Sequence, residues 1–378
     1  MSMTATPPVV MQGPQVTGQQ APKVPWRRAV VERSNILPSE SGSIAAGYQP
    51  IERTIEGTGF LYKLRLRMVA TTAANAATVA FAEDAPWNAL GLLTLRDPNG
   101  ELINVPNGFY AYLANLAQRN FSNRWLDQST LSSIVTGVGA GLGGSFTQFF
   151  DLAVGINRRN LLGVVGNQDR AIKYTLRTDI NASSAIYTTP PTTLPTYVLE
   201  KYYESYSVPL PVGPNGVQQQ VLPPGYGTLH FTTVTTSDAA PSGGSTVNHY
   251  LRRIGNTIRY IILVFRSGAG ATPRATAEAN APTLITFKAG DDTIFTETWA
   301  YRKALMYERY GFDWPAGCLV YDTMHDFDNS AGFEVGDDYY HTQALVNAQF
   351  MVAYPAGYGS ASNSLTIVTD DLVYAAPV

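Results

Sequence analysis

The sequence contains Leu92-Leu-Thr-Leu-Arg96 and, much further along, Leu284-Ile-Thr-Phe-Lys288, two stretches with the same order of apolar and polar residues. Each is followed by a turn, Asp97-Pro-Asn-Gly100 after the first and Ala289-Gly-Asp-Asp292 after the second. Asn-Gly and Gly-Asp between apolar runs are typical of β-hairpins. The two stretches therefore predict two hairpins and an internal repeat.

The repeat continues beyond the turns. Leu102-Ile103 aligns with Ile294-Phe295 without a gap, and each hairpin leads into a segment with apolar residues at helical spacing, residues 109–119 and 299–309. The order of these elements is the same in both parts of the chain. We therefore expect one short helix in each half, directly after its hairpin.

Further elements recur in the same order on both sides of the hairpins. They are the predicted strands 61–69 and 258–265, the segments Phe149-Phe-Asp151 and Leu319-Val-Tyr-Asp322, and the predicted strands 171–179 and 345–354. About eight short strands and one helix per half are enough for a two-sheet jelly roll. The sequence thus predicts an all-β protein of two tandem eight-stranded jelly rolls, a double jelly roll with a short helix insert in each half.

The composition agrees with this fold and excludes several classes of protein. Of 378 residues, 33 are Gly, 24 are Pro and only 15% are charged, against about 25% in ordinary globular chains. A coiled coil and a charge-rich disordered chain are excluded. The low charge indicates that neighbouring subunits cover much of the surface. The single cysteine, Cys318, excludes an intrachain disulfide.

Composition shifts along the chain predict its division into domains. We expect an N-terminal arm over 1–45, a first jelly roll over 46–210, a Pro- and Gln-rich linker over 211–224 and a second jelly roll over 225–378. The beginning of the arm is rich in Pro, Gln and Thr, so we expect it to be disordered in the isolated protein and ordered in an assembly.

One cluster in the arm combines basic and aromatic residues. Lys23, Trp26, Arg27 and Arg28 lie within six positions. Such a cluster is a candidate for contact with a membrane or with a neighbouring subunit, because basic side chains attract anionic headgroups and Trp favours the interface. An unanchored tail is the alternative interpretation.

Three longer segments resemble a known family. They are Phe149-Phe-Asp-Leu-Ala-Val-Gly-Ile-Asn-Arg-Arg-Asn-Leu-Leu-Gly163 with Asn167-Gln-Asp169, His249-Tyr-Leu-Arg-Arg-Ile-Gly-Asn-Thr-Ile-Arg259 with Ile261-Ile-Leu-Val-Phe-Arg266, and Gly336-Asp-Asp-Tyr-Tyr-His-Thr342. Together the sequence is similar, over most of residues 50–378, to the major capsid proteins of membrane-containing icosahedral phages, in the tectivirus and adenovirus lineage.

The resemblance implies a structural protein rather than an enzyme. A trimer of double jelly rolls would form a pseudo-hexagonal tile of an icosahedral shell over an internal lipid membrane. Its partners would be further copies of itself, penton or minor capsid proteins, and the membrane through the arm. The net charge of −3 argues against nucleic-acid coating. Residues 1–20 lack a signal peptide, so we expect synthesis in the host cytoplasm and a final location in the virion.

Candidate chemical motifs in the sequence are weak, and we expect no cofactor. Gly139-Ala-Gly-Leu-Gly-Gly144 has the spacing of a dinucleotide-binding loop, but the residues after it predict a strand instead of the helix that phosphate binding needs. Asp322, His325, Asp326 and Asp328 are the only candidate metal ligands, and they do not match the spacing of an EF-hand loop. Capping or turn roles for these carboxylates are the alternative.

Catalytic arrangements are equally weak in the sequence. No G-x-S-x-G motif occurs, and His230, His249, His325 and His341 are expected at strand ends or in loops. Two other functions stay open. A carbohydrate-binding or carbohydrate-active β-protein would use exposed aromatic residues or a carboxylate pair, for which Asp292 and Glu297 are candidates. A minor vertex or spike protein of a virion is the second alternative.

Overall fold

A computed structural model of the chain describes residues 23–72, 75–97, 100–118, 133–134, 137–139, 143–156, 161–167, 173–214, 216–237, 241–267, 274–323, 340–342, 345, 347–358 and 363–374. Strands dominate these residues, and they pair almost entirely in antiparallel fashion. The strands divide into two sets that follow one another along the chain.

The first set forms a jelly roll of two facing sheets. Its strands are β1 (Glu32–Ser43), β2 (Glu52–Ile55), β3 (Gly59–Thr71), β4 (Asn75–Phe81), β5 (Leu90–Asp97), β6 (Gly100–Val105), β7 (Ser133–Ile134), β8 (Gly137–Gly139), β9 (Phe146–Ala153), β10 (Val165–Asn167), β11 (Tyr174–Ile180), β12 (Tyr187–Thr189) and β13 (Thr196–Tyr206). One sheet has the order β1-β13-β3-β9 and the other β2-β11-β5-β6. Short strands extend this frame: β7 pairs with β9, β10 with β3, and β4 lies between β8 and β12.

The second set repeats the arrangement. Its strands are β14 (Leu229–Thr236), β15 (Thr246–Tyr250), β16 (Thr257–Arg266), β17 (Leu284–Ala289), β18 (Asp292–Glu297), β19 (Cys318–Asp322), β20 (Tyr340–His341), β21 (Ala348–Ala353) and β22 (Ser364–Val373). The sheet orders are β14-β22-β16-β19 and β15-β21-β17-β18, with β20 beside β16. Strand by strand, the second half therefore reproduces the order of the first.

Within the described residues, five α-helices and one 3₁₀ turn (Trp87–Ala89) accompany the strands. They are α1 (Trp26–Ala29), α2 (Gly108–Ala117), α3 (Ser183–Ile186), α4 (Arg274–Ala279) and α5 (Trp299–Tyr310). The two longest, α2 and α5, follow the two hairpins, and the side chain of the preceding residue, Asn107 or Thr298, accepts a hydrogen bond from a backbone N–H of the first turn. None of these helices combines the length and apolar character needed to cross a bilayer.

The repeat extends to an irregularity within the hairpins. In the first hairpin Leu95 pairs with Ile103, and the register shifts directly after Leu95. In the second, Phe287 pairs with Phe295, and the register shifts directly after Phe287. These are the positions that the ungapped alignment makes equivalent. The predictions of two hairpins, of a helix after each and of a double jelly roll are confirmed.

The start of the first jelly roll differs from the predicted division. Residues 32–43, which the sequence analysis places in an arm over 1–45, form β1 and pair with β13 from Glu32 to Ser43. Only Leu37 of this strand is buried. An edge strand with one buried side chain shows no apolar alternation, so its sequence resembles that of a tail. Between the jelly rolls, residues 207–228 connect β13 to β14, and the described ones among them, all but 215, form no helix and no strand longer than a single bridge.

Two histidines lie next to strand ends in the second jelly roll, in agreement with the expected strand-end positions. His230 belongs to β14 and His249 to β15, and both are buried. Nδ1 of His249 lies 2.7 Å from Oγ of Ser237, and Nε2 lies 2.9 Å from the hydroxyl of Tyr354. Burial lowers the pKa of His249 to about 4.

This pKa predicts a loss of stability in mild acid. The unfolded chain protonates His249 below about pH 6.5, whereas the folded chain keeps the ring neutral until about pH 4. The contribution is complete above pH 6.5 and falls by up to about 3 kcal/mol as the pH drops to 4. Urea denaturation at constant protein concentration should show that His249→Gln reduces this dependence. The control is His341→Gln, at an exposed position, which should keep the wild-type slope; equal slopes in all three proteins would contradict the assignment.

Candidate functional site at the junction of the two jelly rolls

The two jelly rolls share one continuous sheet. β6, at the edge of a sheet in the first jelly roll, pairs in parallel with β14, at the edge of a sheet in the second, through Thr232 opposite Ile103 and Thr233 opposite Asn104. The result is a nine-stranded sheet that crosses from one half to the other. Each half thereby covers an open edge of the other, and the apolar core runs through the junction without a break.

Helix α2 fills the junction beside this sheet. All ten of its residues are buried, because it packs against β9 of its own jelly roll and against β16 and β22 of the other. The hydroxyl of Tyr110 donates to Oγ1 of Thr366 at 3.4 Å. At the other end of the helix, Nε2 of Gln118 donates to the hydroxyl of Tyr260 at 2.9 Å and to Oδ2 of Asp370 at 3.1 Å.

Asp370 is the centre of a buried polar cluster at the junction. Its Oδ2 lies 2.8 Å from Nε2 of His230 and accepts a hydrogen bond from Oγ1 of Thr232 at 3.1 Å. The guanidinium of Arg259 donates to its other oxygen. On the far side, Nδ1 of His230 lies 3.1 Å from the carbonyl oxygen of Val154, in the first jelly roll. The cluster therefore links the halves through hydrogen bonds as well as through packing.

The electrostatics of the cluster hold the carboxylate ionised. Burial by itself raises the pKa of Asp370, but the neighbouring Arg259 and His230 outweigh burial and hold that pKa well below its usual value. Burial raises the pKa of the Tyr260 hydroxyl well above its ordinary range. The ion pair is thus permanent at physiological pH, and the described groups around it serve to satisfy one another.

A second buried charge cluster joins the halves at another point. Asp84, in the loop before β5, accepts hydrogen bonds from Arg266 and Arg274 of the second jelly roll, each at 2.7 Å. Glu83 accepts from the backbone N–H of Arg274 at 2.8 Å. The guanidinium of Arg274 also lies 4.3 Å from the ring centre of Phe109 on α2. Two buried ion-pair clusters therefore hold the halves in one relative orientation.

The cluster of basic and aromatic residues near the N-terminus is divided by the structure. Trp26 is buried in its own chain, in edge-to-face contact with Phe60 and Tyr206. It therefore does not form the membrane or neighbour contact proposed for it, because α1 turns the indole inward. Lys23, Arg27 and Arg28 are exposed, and Arg27 pairs with Glu32 at 3.2 Å. Residues 1–22 of the predicted arm lie outside the described residues.

The candidate metal ligands are only partly described. Asp322 ends β19, where Arg309 pairs with its Oδ1 at 2.7 Å and the hydroxyl of Tyr310 donates to its Oδ2. His325, Asp326 and Asp328 lie outside the described residues. In the part of the chain that the structure describes, no three His, Cys, Asp or Glu side chains are grouped as a metal site. A cation site including Asp322 would have to displace both of its present partners.

The two carboxylates that the sequence offers for the carbohydrate alternative lie far apart. Asp292 and Glu297 are the first and last residues of β18, so their Cα atoms are roughly 16 Å apart at the rise of a strand. Glycosidases need carboxyl groups about 5 to 9.5 Å apart.

Residues 140–142 of the glycine-rich motif lie outside the described residues. The strand predicted after this motif is confirmed, because β9 begins at Phe146, two residues after Gly144.

Solved structures with the same architecture are viral capsid proteins. The STIV major capsid protein, of Sulfolobus Turreted Icosahedral Virus, has a TM-score of 0.63 at 11% identity, covering 91% of this chain and 97% of that chain. The PBCV-1 virus capsid has a TM-score of 0.58 at 12% identity, covering 94% of this chain and 95% of that chain. The major capsid protein P2 of bacteriophage PM2 has a TM-score of 0.51 at 10% identity, covering 91% of this chain and 98% of that chain.

This chain has the double jelly-roll fold of viral major capsid proteins. No family model matches it, and no curated protein matches its sequence. The capsid-protein fold is therefore shared while sequence identity is close to background. The agreement extends over nearly the whole of each chain, so both jelly rolls and their junction contribute to it.

The junction residues were not identified from sequence. Arg259 is the third residue of the mostly apolar strand β16, and Asp370 lies within β22, which is buried along most of its length. A charged residue inside such a strand is a signal for a buried ion pair, since charges are rarely buried alone. That signal marks candidates, but which partner each charge meets depends on the tertiary fold.

Removal of the charge at the junction should be costly. Asp370→Asn keeps the shape but leaves Arg259 without its counter-charge, so we expect a loss of about 3–5 kcal/mol in the free energy of unfolding. Glu52→Gln breaks the exposed pair with Arg96 and should cost about 0–1 kcal/mol. Urea denaturation followed by circular dichroism measures both. Equal losses of unfolding free energy in the two variants would show that the buried ion pair contributes no more to stability than an exposed one.

Trp26 should behave as a core residue. Trp26→Ala removes a buried indole and should lower the free energy of unfolding by about 3–5 kcal/mol. Arg28→Ala, two positions away and exposed, should change it by less than about 0.5 kcal/mol. Thermal melting of the three proteins tests this. A Trp26→Ala protein as stable as wild type would show that Trp26 is not a core residue and belongs to the N-terminal arm.

Proposed function

We propose that this chain is the major capsid subunit of an icosahedral virus and that it performs no catalysis. The observation that carries the proposal is the match of fold over both jelly rolls to several major capsid proteins. The rigid junction supports it, because a shell subunit must transmit contact forces between its neighbours without hinging. The shared sheet, a buried helix and two ion-pair clusters give the chain that property.

The proposed tile is a homotrimer with a pseudo-hexagonal outline. Two jelly rolls of the same strand order give each chain two similar flanks, so three chains related by a threefold axis present six. Six similar flanks allow each tile to meet six neighbours. The low proportion of charged residues, 15%, also fits a surface that is largely covered in the particle.

One pole of the molecule is suited to face the inside of the particle. The segment that joins the jelly rolls lies there beside α1 and exposes several apolar side chains: Val208, Leu210, Val212, Val217, Val221, Leu222 and Tyr226. Lys23 and Arg28 are exposed near it. Apolar and basic groups together favour an anionic lipid surface. We include in the proposal an internal membrane below this pole, penton or minor capsid proteins as further partners, and synthesis in the host cytoplasm.

Purified virions test the proposal directly. Quantitative mass spectrometry should find this chain to be the most abundant protein, and cryo-electron microscopy should resolve trimeric tiles with a bilayer beneath the pole that carries Lys23 and Arg28. A few copies per particle would identify a vertex or spike component and would contradict the main proposal. Tiles without a bilayer would contradict only its membrane part.

A further inference from the structure

The contact between the two jelly rolls of one chain serves as a template. Within the chain, α2 lies across the outward face of β16 and β22, with Tyr110 beside Thr366 and Gln118 beside Tyr260 and Asp370. Next to it, β6 pairs with β14. Each of these five elements has an equivalent in the other jelly roll. A partner surface for these equivalent elements can be identified by comparing them with the template.

The equivalent of α2 is α5, and it carries an exposed stripe. Each helix packs on the corresponding strand of its own jelly roll, β9 or β19, and each is capped by the preceding residue. Counted from the caps Asn107 and Thr298, Tyr110 corresponds to Tyr301. Whereas Tyr110 is buried, Tyr301 is 56% exposed. We define the α5 stripe by its exposed members Tyr301, Ala304, Tyr307 and Glu308, which recur at helical spacing.

The face equivalent to the one under α2 lies on β3 and β13 of the first jelly roll. The two sheets are aligned by one row of paired residues that crosses each of them. The row is Tyr202, Arg65 and Asp151 in the first jelly roll and Asp370, Tyr260 and Asp322 in the second. Four residues before Tyr202 and Asp370 lie Val198 and Thr366. Thr366 is buried, whereas Val198 is 45% exposed. We call the outward surface of Lys63, Arg65, Arg67, Val198, Glu200 and Tyr202 the β3–β13 face.

The strand edges show the same difference. The pairing of β6 with β14 joins two sheets within the chain, while their equivalents, β18 and β1, are the last strands of their sheets in the described part of the chain. Both edges carry an apolar side chain that is about half exposed, Ile294 on β18 and Ile36 on β1. Open strand edges of this kind are normally covered in a native assembly.

We propose that the α5 stripe and the β18 edge bind the β3–β13 face and the β1 edge of a second copy of this chain. By the template, Tyr301 lies against Val198 of the partner, and the C-terminal end of α5 lies near the partner's Arg65. The contact joins different surfaces on the two copies, and it closes into a ring of three if it repeats the geometry of the junction. The inference rests on the proposed function and adds the surfaces through which the trimer forms.

The charges on the two surfaces are compatible with this contact. The β3–β13 face carries Lys63, Arg65 and Arg67, which pair with Asp151, Glu204 and Glu200, and the side chains of Arg65 and Arg67 are still 39% and 46% exposed. Glu308 at the end of the α5 stripe is exposed as well. The template places Glu308 at the end of the face that carries Arg65, so opposite charges meet there. At the other end Tyr301 meets Val198, and apolar surface meets apolar surface.

Cysteine cross-linking tests the contact in the full chain. Both positions of the double variant Val198→Cys/Tyr301→Cys are exposed, so the fold should tolerate them. The only native cysteine, Cys318, is buried, which raises its pKa to about 11 and keeps it unreactive. Under mild oxidation the variant should form disulfide-linked dimers and trimers on a non-reducing gel. The matched control Val198→Cys/Tyr250→Cys uses an equally exposed tyrosine on β15 and should stay uncross-linked.

A second variant tests the same contact without oxidation. Ala304→Arg places a long charged side chain in the middle of the α5 stripe and should weaken trimerisation at least about tenfold in light scattering. Tyr250→Arg should leave it unchanged.

The outcomes separate this inference from the function. If the protein is a trimer but Val198→Cys/Tyr301→Cys does not cross-link, or if Ala304→Arg trimerises as well as wild type, the proposed surfaces are wrong. The capsid proposal is unaffected by either result. A well-folded wild-type monomer at every concentration would overturn both.

Discussion

The parallel pairing of β6 with β14 is the interaction on which the rest of the molecule depends. A jelly roll leaves open strand edges, and an open edge is a site for uncontrolled association. Here each half covers an edge of the other, and the shared sheet brings α2 and the two buried ion-pair clusters into position. The two domains are consequently one rigid body, although a long irregular segment connects them along the chain.

The buried charges contribute orientation more than affinity. Apolar side chains of similar volume could replace an ion pair such as Asp370 with Arg259 without loss of stability. An apolar contact, however, tolerates sliding, whereas a carboxylate that meets Arg259, His230 and Thr232 has one acceptable position. For the shell subunit proposed above, whose two flanks would have to point in defined directions, a fixed angle between the halves would offset the desolvation of the charges.

The fold could be predicted from sequence wherever local patterns determine it. The hairpin that begins at Leu92 combines a period of two with turn residues, and its repeat at Leu284 removes most of the ambiguity. β1 was missed because an edge strand with one buried residue has no pattern. Trp26 was misassigned because its basic neighbours suggested a surface, although the indole packs inside. The pairing of Arg259 with Asp370, 111 positions apart, follows only from the topology.

The matching register shifts of the two hairpins, after Leu95 and after Phe287, bear on the evolutionary origin of the two halves. A shared backbone irregularity at equivalent positions, with little sequence identity, is what duplication of a single jelly-roll gene would leave behind. In the proposed trimer, six separate single jelly rolls would lose rotational and translational freedom at every junction of the ring. Fusion into three chains would make half of those junctions intramolecular. The two helices would then have different surroundings: α2, whose partner is in the same chain, is fully buried, while α5 keeps exposed residues that suit a free subunit in solution.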